Sequence, residues 1–296
     1  MKTPLFTGCA TALTTPFSEN ELDRKTLSSL IERQLSAGIS ALVVCGTTGE
    51  AATLSEREHD AIVDQTVSEC RGKCRVIVGI GGNNTDKALD AARRAEKAGA
   101  DGVLLTAPYY NKANTEGLQR HFTHVADGCG LPLIVYNVPS RTGVQCTAEL
   151  YARLAEHGRI NGIKEASGDL SLVSRTRALC GDAMHIWCGN DDQTVPMMSL
   201  GALGVISVAS NVIPAQMAEL CGHCLYGNFP AGRAIHEKYA KLFEVLFIEV
   251  NPIPVKEALA MMQLESGEMR LPLSPLSALH REELRCELQR LSLLTE

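Results

Sequence analysis

The sequence predicts a (β/α)8 TIM barrel followed by a C-terminal three-helix appendix. Three observations carry this expectation. Eight apolar, β-branched segments recur between residues 8 and 210. Stretches with helical period lie between them. After residue 225 the strand-like segments stop and only helical patterns remain. Strands alternating with helices imply parallel βαβ units, and eight such units match the barrel. The competing architecture is an open doubly wound sheet. That fold usually shows a nucleotide-binding glycine fingerprint after an early strand, whereas GIGGNN (79–84) lacks the GxGxxG spacing.

In chain order the strand candidates are GCATALTT (8–15), ISALVVCG (39–46), CRVIVGIGG (74–82), DGVLLTAP (101–108), LPLIVYNV (131–138), INGIKEAS (160–167), MHIWCGN (184–190) and LGVISVAS (203–210). Helical patterns such as LSSLIERQLSAG and DKALDAARRAEKAGA fill the gaps. Ser55 with Glu58 reads as a capping box, and Thr85 and Ser167 read as N-caps. Gly38 and Gly99 suit helix C-termini. The tail divides into AGRAIHEKYAKLFEVLFIEV, PVKEALAMMQLES and LSALHREELRCELQRLSLL. Proline-rich breaks separate them, with Ser274 and Pro275 as the expected cap and first turn of the last helix. We expect a barrel domain over 1–225 and a helical domain over 226–296.

Composition narrows the function classes. The chain has 296 residues and a formal net charge of −6, with mean hydropathy near zero. Its basic residues are interspersed with acids along helical stretches, so the basic stripe of a nucleic-acid binder is missing. No apolar run reaches the ~18 residues of a membrane span. The N-terminal stretch MKTPLFTGCATALTTPF lacks the long apolar core of a signal peptide. The expected location is cytoplasmic. Eleven cysteines, mostly single and in apolar surroundings, read as buried thiols. Cys221-Gly222-His223-Cys224 has CxxC spacing but falls well inside a helix. A reactive CxxC opens a helix instead.

In such barrels the chemistry sits at the C-terminal strand ends. These ends carry Gly46-Thr47-Thr48-Gly49-Glu50, Pro108-Tyr109-Tyr110-Asn111, Tyr136-Asn137-Val138-Pro139-Ser140-Arg141, Lys164, Gly189-Asn190-Asp191 and Gly204-Val205-Ile206-Ser207. Most have a plainer reading: the tyrosines as caps on a core, the Gly-Thr-Thr-Gly as a tight turn, Arg141 as a surface charge. Lys164 stands out, because a lysine is rarely buried unless it is paired or used. Burial disfavours its ammonium form and frees a nucleophilic amine, which can form a Schiff base with a carbonyl substrate. The protonated imine is an electron sink that lets the neighbouring carbon lose a proton. Tyr136, Thr47 and Tyr110 can shuttle protons beside it. Gly-Thr-Thr-Gly amides and the Arg141 guanidinium suit substrate carboxylates. Metal catalysis is not expected. The eight histidines do not gather on the strand ends, and the HxxH pair His121 and His124 on a helix, with no third placed ligand, reads as surface.

Taken together, GTTGE, YYN, YNVPSRTG, GIKEASGD, GND, GVISV and NPIPVK, in this order, resemble the dihydrodipicolinate synthase family of the N-acetylneuraminate lyase superfamily. The resemblance runs from Phe6 to the C-terminal helices. It implies condensation of pyruvate with L-aspartate 4-semialdehyde towards diaminopimelate and lysine, with no cofactor. Lys164 would form the imine and Tyr136 act as general acid/base. Thr47 would link Tyr136 to Tyr110, the latter reaching in from a neighbouring subunit. Thr47 and Thr48 would hold the pyruvate carboxylate and Arg141 the semialdehyde carboxylate. Gly189 and Ile206 would give backbone contacts near the imine. A homotetramer, a dimer of tight dimers, is implied. So is an effector site for L-lysine at Ala52, Glu56, His59, Asn83, Lys87 and Tyr109. Lysine-sensitive members tend to have glutamate where Lys87 stands, and a cation there repels a cationic effector, so weak or absent inhibition is expected.

Three other readings remain. One is an aldolase for N-acetylneuraminate or a 2-keto-3-deoxy sugar acid. Another is a non-catalytic barrel that only binds a ligand. The last is a thiol oxidoreductase through Cys221 and Cys224.

Overall fold

A parallel sheet covered on both faces must be apolar on both, and the eight strand segments meet that condition. The computed structural model describes residues 2–294. In it β1 (Gly8–Ala12), β4 (Ala41–Val44), β5 (Arg75–Gly79), β6 (Gly102–Thr106), β7 (Leu133–Asn137), β8 (Ile160–Glu165), β9 (His185–Cys188) and β10 (Gly204–Ser207) pair in parallel and close into one barrel. The seam joins β1 to β10, with Gly8 opposite Gly204. Gly204 has φ +150°, and a Cβ there would collide with the Gly8 carbonyl, so only glycine permits this closure. A small antiparallel pair, β2 (Phe17–Ser18) with β3 (Glu21–Leu22), follows β1.

The period-2 alternation of strands separates two cores. Ala10, Val43, Ile77, Leu104, Ile134, Tyr136, Trp187 and Ile206 point into the barrel. Their neighbours Cys9, Leu42, Val76, Leu105, Val135, Ile186 and Val205 belong to the outer cluster under the helices. Phe6 stacks on Trp187 at 4.9 Å between ring centroids. A register shift between Leu133 and Ile134, where β7 meets β8, leaves Tyr136 beside Lys164 as cross-strand neighbours.

The intervening helices are α1 (Arg24–Ser36), α2 (Glu56–Cys70), α3 (Thr85–Ala98), α4 (Thr115–Gly128), the one-turn α5 (Pro139–Thr142), α6 (Ala148–Ala155), α7 (Leu170–Cys180), α8 (Thr194–Ser199) and α9 (Pro214–Leu225). The Ser55–Glu58 capping box is present. Gly38 and Gly99 take left-handed conformations at helix ends. Three expected caps are displaced. Asn84, not Thr85, caps α3 by accepting from Lys87 N–H, because its carboxamide oxygen reaches the third amide. Thr85 instead hydrogen-bonds His121 Nδ1. Asp169, not Ser167, caps α7, accepting from Ser171 and Leu172 N–H. The last helix begins at Ala278 behind Ser277, not at Ser274-Pro275. The Ser277 N–H is drawn instead to Glu249.

The tail forms α10 (Phe229–Val245), α11 (Ile253–Met261) and α12 (Ala278–Arg290). Leu242, Val255 and Leu284 join the same outer core as the barrel helices. Lys256 on α11 is fully buried. It donates to Glu50 Oε1 at 2.6 Å and to the Thr15 carbonyl at 2.8 Å. Cys221 and Cys224 lie in the last turns of α9, reduced and buried, and burial pushes the Cys224 thiol up to about 11. Among the described residues no helix is long and apolar enough to cross a membrane.

Candidate active site

Lys164 is the next-to-last residue of β8, its side chain on the inner face and only 5% exposed. Its Nζ sits 4.4 Å from the centroid of the Tyr136 ring, across the β7–β8 pair. Room for the lysine comes from Gly189 just beyond β9. A Cβ there would lie 2.6 Å from the Ala166 Cβ and 3.2 Å from Lys164 Cε. Ile206 on β10 belongs to the same inner cluster as Tyr136.

The two buried lysines of this chain have opposite surroundings. Lys256 meets a carboxylate head-on. Lys164 makes no ion pair and no hydrogen bond among the described residues. Desolvation is therefore the largest influence on it and lowers its pKa to about 8, with Arg141 pushing the same way. The buried Asp191 and Cys188 oppose this. Asp191 does not reach Lys164 as an ion pair. Its Oδ2 accepts from the Val208 and Ala209 N–H groups at 3.0 and 2.9 Å. Its Oδ1 is buried without a partner, and desolvation raises its pKa.

Tyr136 is pushed up to about 12 by burial, against the opposing effects of Arg141 and of the nearby Thr47 side chain. Thr47 lies in the turn after β4. There Gly49 N–H closes onto the Gly46 carbonyl and Glu50 N–H onto that of Thr47. The Thr47 and Thr48 N–H groups find no acceptor among the described residues. This turn is anchored from outside: Glu50, in a left-handed conformation, holds Lys256 through one oxygen and Arg270 N–H through the other.

Arg141 lies on α5. Its Nη2 donates to the Asn251 carbonyl at 2.9 Å, and Asn251 Nδ2 donates to Thr48 Oγ1 at 3.0 Å. Asn251 Oδ1 is buried without a partner. Asn251 therefore joins two expected carboxylate-binding residues that are far apart in sequence. Glu165, beside Lys164, faces outward and accepts from Asn137, the Tyr151 hydroxyl and Ser167 N–H, which pins the end of β8. The sequence reasoning missed Asn251, Asp191 and Glu165 as parts of the site. Their signal was that NPIPVK, GND and GIKEASGD stand among the motifs that carry the family resemblance.

Lys164, Tyr136, Thr47, Thr48, Arg141, Gly189 and Ile206 thus meet on one rim, but Tyr110 does not join them. It is 88% exposed at φ +69° in the loop after β6, and within the single chain it completes no relay. Ala52, Glu56, Asn83 and Lys87 are exposed at the starts of α2 and α3, and Tyr109 is 40% exposed. His59 is tucked in, its Nε2 at 3.2 Å from the Gly79 carbonyl. The Asn111 amide bonds the Asn83 carbonyl and ties the Tyr109 loop to this surface. His121 is not on the surface: it is buried, and desolvation lowers it to about 4. Among the described residues no three His, Cys, Asp or Glu side chains gather as a metal site.

A barrel with a desolvated, unpaired lysine beside a buried phenol at its C-terminal rim has the arrangement of an imine-forming enzyme. A family model described as the dihydrodipicolinate synthetase family matches residues 5–291. The 4-hydroxy-tetrahydrodipicolinate synthase of Geobacter metallireducens is 46% identical over 280 residues, covering 95% of this chain and 97% of that one. The crystal structure of dihydrodipicolinate synthase from Aquifex aeolicus superposes with a TM-score of 0.96 at 41% identity, over 98% of this chain and all of that one. A chloride-inhibited dihydrodipicolinate synthase from Acinetobacter baumannii, complexed with pyruvate, gives 0.96 at 38% identity over 97% and 99%. The chain belongs to the dihydrodipicolinate synthetase family.

Proposed function

We propose that this chain condenses pyruvate with L-aspartate 4-semialdehyde to 4-hydroxy-tetrahydrodipicolinate, through an imine on Lys164. The observation that carries the reading is the contrast between the two buried lysines: Lys256 is neutralised by Glu50, while Lys164 is desolvated and unpaired. The names of the relatives favour this reaction over cleavage of N-acetylneuraminate or a related sugar acid.

The neutral Lys164 amine attacks C2 of pyruvate, and loss of water leaves a protonated imine. That imine accepts the electron pair of a C3–H bond, so C3 releases a proton and becomes an enamine carbon. The carbon adds to the aldehyde of the second substrate. Tyr136, protonated across the working range, gives and takes the protons of these steps, with Thr47 as its relay partner. The unpaired Thr47 and Thr48 N–H groups hold the pyruvate carboxylate. Arg141, steadied by Asn251, takes the semialdehyde carboxylate. The product is a ring, so the semialdehyde's own amine closes on C2 and displaces Lys164.

Tyr110, exposed on a strained loop, completes the relay in a second copy of the chain, within a homotetramer built as a dimer of dimers. The enzyme works in the cytoplasm, where its free thiols persist.

Borohydride reduction in the presence of pyruvate tests the mechanism. Wild type should gain a covalent pyruvyl adduct mapped to Lys164, and Lys164→Ala should gain none. Absence of the adduct on wild type, or an undiminished adduct on the variant, removes it. Turnover with aspartate semialdehyde, compared with cleavage of sialic acid, tests the choice of acceptor.

A further inference from the structure

The end of the barrel opposite the active-site rim carries a cavity of about 520 Å³, between the C-terminus of α2 and the starts of β5 and β6. Two cysteines line it. Cys70 is the last residue of α2 and is fully buried; Cys74 directly precedes β5 and is partly exposed. The Cys74 N–H donates to the Cys70 carbonyl. That 3.3 Å bond closes a turn through Arg71, at ψ 117°, and Gly72, at φ +74°, and draws the two cysteine backbones together, as a disulfide requires. Both cysteines line this one cavity.

The mouth of this cavity is cationic. Arg75 is engaged by Asp101 at 2.6 Å. Arg71 and Lys73 are exposed and make no ion pair among the described residues. Cys70 beside it lowers the pKa of Cys74, while that of Cys70 is raised and it stays a thiol. A thiolate that can be reached, a buried thiol four residues away on the same cavity wall and two free cations at the entrance form a complete exchange site. Seven of the other nine cysteines are buried; Cys180 is half-buried and Cys286 is exposed.

We propose that Cys70 and Cys74 form a dithiol–disulfide site whose oxidant is a small anionic disulfide of the glutathione type. The Cys74 thiolate attacks one sulfur of the oxidant, forming a mixed disulfide and expelling one thiolate. Cys70 then gives up its proton and attacks the Cys74 sulfur, which expels the second thiolate. The protein loses two electrons and two protons, and the oxidant leaves as two thiols. The product disulfide ties the end of α2 to the start of β5.

The test uses the full-length protein carrying Cys286→Ser, treated with glutathione disulfide and followed by intact mass and non-reducing peptide mapping. The expected product has lost two hydrogens and contains a Cys70–Cys74 link. Adding Cys70→Ser should stop the reaction at a glutathione adduct on Cys74; adding Cys74→Ser should leave Cys70 unmodified. Glutathione disulfide should react roughly tenfold faster than the dication cystamine at low salt, and Lys73→Glu should erase most of that preference. A protein that stays fully reduced, a Cys70→Ser variant that still loses two hydrogens, or equal rates with the two disulfides would each overturn the proposal. The mapping on otherwise native sequence stands even if a cysteine variant fails to fold.

Discussion

Lys164 Nζ lies 4.4 Å from the centroid of the Tyr136 ring, held there by direct pairing of the two residues across adjacent parallel strands. In the proposed mechanism the amine that attacks and the phenol that protonates are thus placed by the register of one strand pair. Burial pushes them apart in pKa, to about 8 and about 12. Only the lysine titrates near neutrality, and its neutral form is the nucleophile. The rate of imine formation at low pyruvate should therefore rise with pH and level off above an apparent pKa near 8. Tyr136→Phe should lower kcat by about 10²-fold or more. A stopped-flow pH series that is flat from pH 6 to 9 would contradict the first expectation.

Burying an unpaired ammonium is a stability burden. The folded pKa of Lys164 is depressed from 10.5 to about 8, so the unfolded chain holds the proton more tightly. The penalty is fully present below pH 8 and fades as pH rises through 8 to 10.5. Lys164→Met should therefore stabilise the inactive protein by about 3 kcal/mol at pH 7, and the gain should shrink towards pH 10. Denaturant midpoints at the two pH values measure this.

In the proposed mechanism Arg141 bears on both substrates through one position. Arg141→Ala should keep the pyruvate adduct but raise KM for the semialdehyde steeply. Because Arg141 also pushes Lys164 downward, the pH profile of the variant should move to higher pH. Loss of the adduct itself would show that its role has been misassigned.

Glu50 and Lys256 form a fully buried pair. Removing either partner, as in Glu50→Gln or Lys256→Met, should destabilise by about 3–5 kcal/mol, because the survivor is left charged and unpaired. The double variant should lose less than the sum. Strict additivity in chemical denaturation would refute the coupling.

Lys87 stands exposed at the start of α3, on the surface that also carries Glu56 and Tyr109. Its cation opposes binding of a cationic amino acid there. L-lysine should inhibit weakly or not at all at saturating substrates. An inhibition constant below about 1 mM, the tight side of weak binding, would be the contrary result.

Much of this molecule was readable from local pattern. Strand-like runs alternating with helical ones pointed to parallel βαβ units, and a lysine closing an apolar strand pointed to the rim. The cap positions slipped where two polar residues competed. At Asn84-Thr85 the carboxamide reaches the amide of Lys87, while the threonine hydroxyl is taken by His121 on another helix. That competition is tertiary, as is the burial of His121 itself, which its helical pattern disguised as surface.

The sequence by itself determined the barrel, its alternation of inner and outer faces and the chemical identity of Lys164, Tyr136, Thr47 and Arg141. These follow from periodicity and residue type, which act over a few residues. The tertiary structure decided which buried lysine is free to react. Glu50 reaches Lys256 across 206 residues of chain, and Asn251 reaches Thr48 and Arg141 across 203 and 110. A charge is silenced or released by what the fold brings within about 4 Å of it, and no local pattern encodes that.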